Sequence, residues 1–181
     1  MLWVQLLRFL LTAAVLGLAA HLIGEALPRR WFRADAFPYR AYAWEQNGRF
    51  YQKLGIRAWK DRLPDKSKFA PGAYRKSVGA HRDGMRIERL LQETCVAECV
   101  HWALLLLSPV FLFTMARPYG AVATILYALS HVPYLMIQRY NRPRLLAAYK
   151  LVEARAAREP EPCAEEDAPN AELTGKKVEA V

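Results

Sequence analysis

Apolar residues in this 181-residue chain are gathered into three blocks and are not spread at the spacing of an amphipathic helix. The blocks are Leu2 to Leu27, Val100 to Ala116 and Tyr119 to Ile137. Each approaches the roughly 20 residues that an α-helix needs to cross about 30 Å of hydrocarbon. The pattern predicts an all-α integral membrane protein with about three transmembrane helices, an N-terminal span followed by a C-terminal hairpin.

These blocks and the polar segments between them predict four regions. They are an N-terminal transmembrane helix at residues 1–27, a basic interfacial loop at 28–92, a helical hairpin with the active site at 93–152, and a disordered acidic tail at 153–181. The first block also fits a secretory signal peptide, because Arg8 is its one early charge. We favour an uncleaved span, since cleavage would leave the basic loop outside the cell.

Charge is distributed unevenly along the chain. Residues 1–152 carry 22 Lys and Arg against 9 Asp and Glu, whereas residues 153–181 carry 4 against 8. Sixteen of the basic residues lie between Pro28 and Cys95, and the turn Arg117 to Gly120 has one. The positive-inside rule therefore predicts a multi-pass protein of the cell membrane, with the long loop and the C-terminus cytoplasmic and the turn outside.

The loop has aromatic residues interleaved with Lys and Arg, which favours contact with membrane lipids at headgroup depth. Trp44 to Trp59 is predicted to form a short helix with Phe50, Leu54 and Ile56 on its apolar face. Proline at position 64 ends it, and Phe69 to Asp83 is predicted to be irregular. Basic aromatic segments also bind nucleic acid, but three apolar spans argue against that partner.

Ionisable residues stand directly before the second block, in the sequence ETCVAECVHW from Glu93 to Trp102. Polar groups at the mouth of a membrane span are costly and are candidates for function. Glu98 and His101 are three residues apart and share one helix face, whereas Glu93 points elsewhere. Glu98 and His101 are therefore the predicted catalytic pair.

Three blocks of residues resemble the glycosyl-4,4'-diaponeurosporenoate acyltransferase family, which completes the carotenoid pigment staphyloxanthin. They are Gly48-Arg49-Phe50 with Trp59-Lys60, then Glu93-Thr94, Ala97-Glu98 and His101-Trp102, then Tyr127-Ala128 and the run from Val132-Pro133 to Leu145. The likeness covers roughly residues 1 to 150 and leaves out the acidic tail. It implies a membrane enzyme that esterifies the 6-position of a glucose on a carotenoid with a long-chain fatty acyl group.

Acyl transfer to a sugar hydroxyl needs a base for the hydroxyl proton and donors for the oxyanion. His101 suits the base, with Glu98 holding its tautomer and Asn141 donating to the oxyanion. Counting from the turn at Pro118 places His101 at the depth of Pro133 to Leu135 on the neighbouring helix. The alternative is that Glu98 and His101 lie at the membrane interface and only bind each other, with no role in catalysis.

Arginines in the sequence QRYNRPR, where Pro143 predicts the end of the third helix, are candidates to bind the acyl donor. They suit the phosphates of an acyl-CoA or the acidic surface of an acyl carrier protein, although basic residues there also fit a membrane anchor. The predicted substrate-binding residues are Glu93, Trp102, Gln138, Arg139, Arg142 and Arg144.

Other chemistry is not indicated. Cys95, Cys99 and Cys163 lack the spacing of a metal site and are interpreted as packing residues, as are His21 and His131, which stand among apolar residues. We expect no cofactor and no metal. The resemblance implies a glycosylated carotenoid as the acceptor, with another glycolipid as the alternative. The alternative to an enzyme is a membrane scaffold whose loop binds lipid headgroups.

Overall fold

The computed structural model describes residues 1–63 and 80–158, with side chains from residue 84 onward in the second range. The described residues form helices and turns and contain no strand. The helices are α1 (Leu2–Ala26), α2 (Arg49–Lys53), α3 (Ile56–Trp59), α4 (Ala80–Leu107), α5 (Phe111–Thr114) and α6 (Tyr119–Ala156). Short 3-10 turns lie at Arg29–Trp31, Ala43–Gly48, Lys60–Arg62 and Ser108–Val110.

Three helical segments are long and apolar enough to cross a membrane. They are Leu2–Ala26, Gly84–Thr114 and Tyr119–Ala156. Large apolar side chains such as Leu11, Leu106 and Ile125 are exposed on their outer surfaces, as expected of residues that face lipid. The buried side chains between the helices include charged and polar ones, as expected of an intramembrane site. The predicted all-α membrane architecture is confirmed.

A short connection joins α4 to α6 and closes the helical hairpin. There the backbone of Gly120 lies against the backbone of Phe111. A Cβ atom at Gly120 would lie 2.6 Å from the carbonyl oxygen of Phe111, so glycine is required there. Phe111 is buried, and the ring of Phe9 stacks on it with centroids 5.2 Å apart. The side chain of Gln5 accepts a hydrogen bond from the backbone N–H of Ala116 at 3.0 Å. The N-terminal half of α1 is thereby fixed to this connection.

Arg29 fixes the other end of α1. Its guanidinium donates to the carbonyl oxygens of Gly24 and Leu27, both at 2.7 Å, and to Glu93 of α4 at 2.9 Å. The last carbonyls of a helix lack intrahelical donors and carry partial negative charge, so a cation there is favourable. Gly24 also lets α1 approach α4 closely, because a Cβ there would meet Val100 at 3.1 Å.

Two helix boundaries differ from the prediction. Helix α4 begins at Ala80, not at Glu93, so residues 80–92 of the predicted loop are helical. Helix α6 continues through Pro143 to Ala156, because buried contacts of Arg142 with α4 hold the chain helical across the proline. Residues 64–79 and 159–181, which include the rest of the predicted irregular segment from Phe69 and of the acidic tail, lie outside the described residues.

The predicted helix from Trp44 to Trp59 is a 3-10 turn followed by the two short helices α2 and α3. Left-handed backbone interrupts it at Gln46, Asn47, Gly48 and Gly55, with φ of 49°, 54°, 88° and 67°. Its buried face also differs, since Ile56 and Tyr51 are buried whereas Phe50 and Leu54 are exposed. The reason is tertiary: this segment packs on α6, where Tyr51 and Ile56 form a cluster with Ile137 and Tyr140.

Gly48 and Gly55 offer a matched test of this packing. Both have positive φ, but a Cβ at Gly48 would lie 3.2 Å from the backbone oxygen of Tyr140, whereas at Gly55 nothing lies within 4 Å. Gly55→Ala should cost about 1–2 kcal/mol for the left-handed backbone alone, and Gly48→Ala should cost more because the loop must move off α6. Thermal unfolding in detergent micelles measures both. Equal losses for the two variants would show that the close approach to α6 is unimportant.

Candidate active site

Glu98 lies at the centre of a buried network of charges between α4 and α6. The residue is 3% exposed. Arg139 donates to its Oε1 at 2.8 Å, and Nη1 of Arg142 lies 2.6 Å from its Oε2. That second contact is an ion pair whose angles do not suit a hydrogen bond, so Oε2 accepts none among the described residues. Two cations therefore hold one carboxylate, which would be costly to leave unpaired in an apolar interior.

Glu45 extends the network into the loop. Its carboxylate, 1% exposed, accepts hydrogen bonds from Arg139 and from the Tyr51 hydroxyl, and from the backbone N–H of Tyr42 at 2.7 Å. Burial alone would raise the pKa of Glu45, but these hydrogen bonds outweigh it and lower the pKa. Burial, and then the neighbouring carboxylate, raise the pKa of Tyr51 above its ordinary value. Glu45 is thus an ionised anchor for the loop on α6.

Arg142 has its guanidinium occupied by the protein. It donates to the hydroxyl of Thr94 at 3.1 Å, to the carbonyl oxygen of Thr94 at 3.0 Å and to that of Tyr39 at 2.8 Å. The residue is 2% exposed, so a substrate phosphate cannot reach it in this conformation. These contacts do not support the predicted donor-binding role of Arg142, which stays a prediction, and Arg139, held by Glu45 and Glu98, is engaged in the same way.

His101 contacts another histidine in place of the predicted Glu98. Its Nδ1 lies 3.2 Å from Nδ1 of His131 on α6. Tyr134 stacks on the His101 ring, with centroids 4.7 Å apart and 13° between the planes. This stacking confirms that His101 lies at the depth of Pro133 to Leu135. The interpretation of His131 as a packing residue missed its contact with His101, because the two are 30 residues apart in the chain.

Glu98 and His101 line different cavities. His101 lines a cleft of about 390 Å³ between α1, α4 and α6, together with Tyr134 and Gln138. Glu98 and Arg139 line a larger cleft of about 740 Å³ on the other side of the α4–α6 pair. Its other lining residues are mostly apolar or aromatic, among them Trp44, Phe50, Leu54, Trp102, Val132 and Met136. Three residues of spacing put Glu98 and His101 near one another along α4, but their partners on α6 draw the two side chains apart.

Glu93, Trp102 and Arg144, which were also predicted site residues, lie in three different places. Glu93 lines the His101 cleft and is paired with Arg29 at 2.9 Å and with Arg89 at 2.9 Å. Trp102 is half-exposed in the apolar cleft. Arg144 is exposed and donates to the hydroxyl of Tyr140.

Asn141 is not brought to His101. It lies on α6 seven residues beyond Tyr134, the residue that stacks on His101, which is about 10 Å along the helix axis. It lines neither cleft. Gln138 is one turn from Tyr134 and lines the His101 cleft, so it has the better position for the predicted amide donor.

Sequence reasoning missed the partners that the loop supplies. Glu45 is the most informative of them, and a signal for it was present: it is the one carboxylate in the aromatic and basic stretch from Tyr39 to Lys60. A lone acid among arginines and aromatic rings that also packs on a helix is a candidate for a buried ion pair. Tyr39 contributes a backbone carbonyl to Arg142, and no side-chain pattern predicts a contact of that kind.

Comparison with known proteins identifies the family of this chain. A family model described as glycosyl-4,4'-diaponeurosporenoate acyltransferase matches residues 28–151. The chain belongs to this family. A protein of that name from Staphylococcus aureus (strain MRSA252) is 30% identical over 138 residues, which cover 75% of this chain and 82% of the relative. The protein of the same name from strain N315 is 29% identical over the same shares. No solved structure matches the chain.

The part of this acyltransferase that matches the family contains both histidines and the whole charge network. Glu45, Glu98, Arg139 and Arg142 all lie within residues 28–151, as does His101. Helix α1 lies before the matched region, although it forms one wall of the His101 cleft. The matched segment of this chain thus contains the histidine pair and the charge network, while α1 lies outside it.

Proposed function

We propose that this enzyme transfers a long-chain fatty acyl group to a sugar hydroxyl of a glycosylated carotenoid, glycosyl-4,4'-diaponeurosporenoate, at the His101 cleft. The names of its relatives support the acceptor. The observation that carries the site is the cleft itself, in which a histidine held by two aromatic neighbours lies beside several polar side chains. The neighbouring apolar cleft, whose charged residues are engaged by one another, has no comparable base.

His101 is the proposed general base. Its Nδ1 is engaged by His131, which leaves Nε2 for the substrate. To accept a proton on Nε2, His101 must carry its own proton on Nδ1 and donate it to Nδ1 of His131. His131 then bears its proton on Nε2, a buried atom with no partner among the described residues. His131 replaces Glu98 as the residue that positions the base.

The transfer proceeds in two steps that share one proton. The sugar hydroxyl gives its proton to Nε2 of His101 as its oxygen attacks the carbonyl carbon of the acyl thioester, and the carbonyl oxygen becomes an oxyanion. The C–S bond then breaks, the ester forms, and the departing thiolate takes the proton from His101. Gln138 is placed to donate an N–H to the oxyanion, a contribution of the kind that lowers such barriers.

The donor is proposed to be acyl-CoA or an acylated carrier protein, and no further cofactor is needed. Two exposed arginines support an anionic donor, since Arg144 of α6 and Arg57 of α3 both donate to the hydroxyl of Tyr140. This shared partner gathers two guanidinium groups at one place on the surface while leaving other N–H groups of each for phosphate.

A different glycolipid remains the alternative acceptor. The His101 cleft would take the sugar of either lipid, so it does not distinguish a glycosylated carotenoid from another glycolipid. A mass spectrum of lipid extracts from cells with and without the protein separates the two. A new fatty ester on a glycosylated carotenoid supports our proposal, and a new ester confined to another glycolipid contradicts it.

Topology is the first expectation to test. We propose that the enzyme lies in the cell membrane with residues 28–63 and the end of α6 in the cytoplasm, as the distribution of Lys and Arg indicates. In a variant without the native cysteines, Arg117→Cys should react with an impermeant thiol reagent applied outside intact cells. Arg40→Cys, which is also exposed, should react only after the cells are opened. The reverse pattern would contradict this orientation.

Substitutions at Arg142 and Arg144 form a matched pair, because Arg142 is buried and Arg144 is exposed. Arg142→Gln should lower the free energy of unfolding by about 3–5 kcal/mol, since it removes a cation from the buried Glu98 carboxylate. Arg144→Gln should change stability by less than about 0.5 kcal/mol, yet raise the donor's KM severalfold without changing the acceptor's KM. Stability is measured by unfolding in detergent and KM by initial rates. An unchanged donor KM in Arg144→Gln would exclude Arg144 from the donor site.

The mechanism depends on His101. His101→Ala should reduce acyl transfer by roughly 10²- to 10⁴-fold, the usual contribution of a positioned proton acceptor, while the amount of inserted protein stays close to normal. Leu106→Ala, an exposed position on the same helix, is the control and should retain activity. The measurement is ester formed per unit of inserted protein. Turnover of His101→Ala near that of the wild type would disprove the mechanism, and so would loss of ester in proportion to protein level.

A further inference from the structure

The His101 cleft has α1 as one wall, and we propose that His21 and Glu25 on this wall bind the sugar of the acceptor. The inference rests on the proposed function, because it assigns the substrate that His101 deprotonates. His21 and Glu25 both line the cleft across from His101. Helix α1 therefore contributes to acceptor specificity in addition to anchoring the enzyme in the membrane.

The position of His21 and Glu25 on α1 is informative. They are four residues apart and so share one face of the helix. The surrounding residues of α1 are apolar, and the exposed ones include Leu18, Leu22 and Ile23. An ionisable residue in such a helix is costly unless it faces a polar cavity or a partner. His21 and Glu25 meet this condition, because both line the cleft and Glu25 is also paired with Arg29.

Arg29 holds this wall in place. Its guanidinium lies 3.5 Å from the Glu25 carboxylate, binds Glu93 across the cleft at 2.9 Å, and donates to the last carbonyls of α1. The side chain of Arg29 is 9% exposed, whereas those of Glu25 and Glu93 are 57% and 39% exposed and so remain open to the cleft and to solvent. Glu25 and Glu93 are consequently set around one fixed cation at the same end of the cleft.

The opposite walls supply the other groups that a sugar needs. Gln138 offers an amide that both donates and accepts, Glu93 offers a carboxylate, and Tyr134 offers an aromatic ring. Each sugar hydroxyl donates one hydrogen bond and accepts others, so carboxylates, amides and imidazoles are suitable partners. The cleft volume of about 390 Å³ lies within the usual range of roughly 300–1,000 Å³ for small-molecule sites.

The contrast between the two clefts favours this assignment. The larger one is lined mainly by aromatic and aliphatic side chains, and its charged residues are Glu98 and Arg139, which bind one another. A sugar placed there would leave hydroxyl groups without partners, which is unfavourable away from water. The His101 cleft, the more polar of the two, is the better place for the hydroxyl that reacts.

Binding of the pigment tests the inference without requiring turnover. The purified enzyme in detergent micelles is titrated with glycosyl-4,4'-diaponeurosporenoate and with the same carotenoid acid lacking the sugar, and bound pigment is measured by absorbance after the protein is captured. The wild type should prefer the glycosylated form. His21→Ala and Glu25→Gln should each reduce this preference roughly three- to tenfold, the effect of losing one or two hydrogen bonds. Leu22→Ala, on the adjoining exposed face of α1, should keep it.

Each outcome decides between the sugar site and its alternatives. An unchanged preference in both variants would overturn the inference, and so would equal losses of affinity for the two pigments, which would indicate a structural role for α1. Initial rates add a second criterion: the acceptor's KM should rise and the donor's should not, and a rise in the donor's KM alone would assign the cleft to the donor. If His101→Ala keeps full turnover while the sugar preference depends on His21, the proposed base is wrong and the sugar site stands.

Discussion

One buried carboxylate, Glu98, shared by two arginines of the neighbouring helix, is the interaction on which the rest of this structure depends. An unpaired charge in an apolar interior costs several kcal/mol, so Glu98 requires both Arg139 and Arg142 beside it. This requirement sets the register of α4 against α6, because a shift of one turn would separate the charges. Since Arg139 also binds Glu45, the same requirement brings the loop onto the hairpin.

The histidine pair is a consequence of that register. Once Glu98 lies beside Arg139, the antiparallel course of the two helices brings His101 next to Tyr134 and His131. Neither histidine needs a charged partner, because each is held by rings and by the other. The charge network and the proposed catalytic histidine therefore have different partners, but the same register between α4 and α6 positions both.

Much of this was predictable from the sequence, and the failures have a common cause. Apolar blocks predicted the three spans, and counting from Pro118 predicted the depth of His101, since helix geometry is local and regular. The pairing of Glu98 with His101 was wrong because two arginines on another helix compete for the carboxylate. Pro143 was expected to end α6, and the helix continues because tertiary contacts outweigh local propensity. Local helix geometry predicted the three spans and the depth of His101. It did not predict which side chains meet across the hairpin, because those contacts depend on the tertiary structure.

Glu98 and His101 lie on neighbouring stripes of α4, about 60° apart around the helix axis, and this has a consequence for how α4 tolerates change during evolution. Thr94 and Glu98 face the arginines that hold the fold together, whereas Ala97 and His101 face the cleft. A map of substitutions along α4 would therefore show two interleaved stripes with helical spacing, one sensitive for folding and one for chemistry. Apart from His101, the cleft stripe can change with the substrate while the other stripe keeps the hairpin intact.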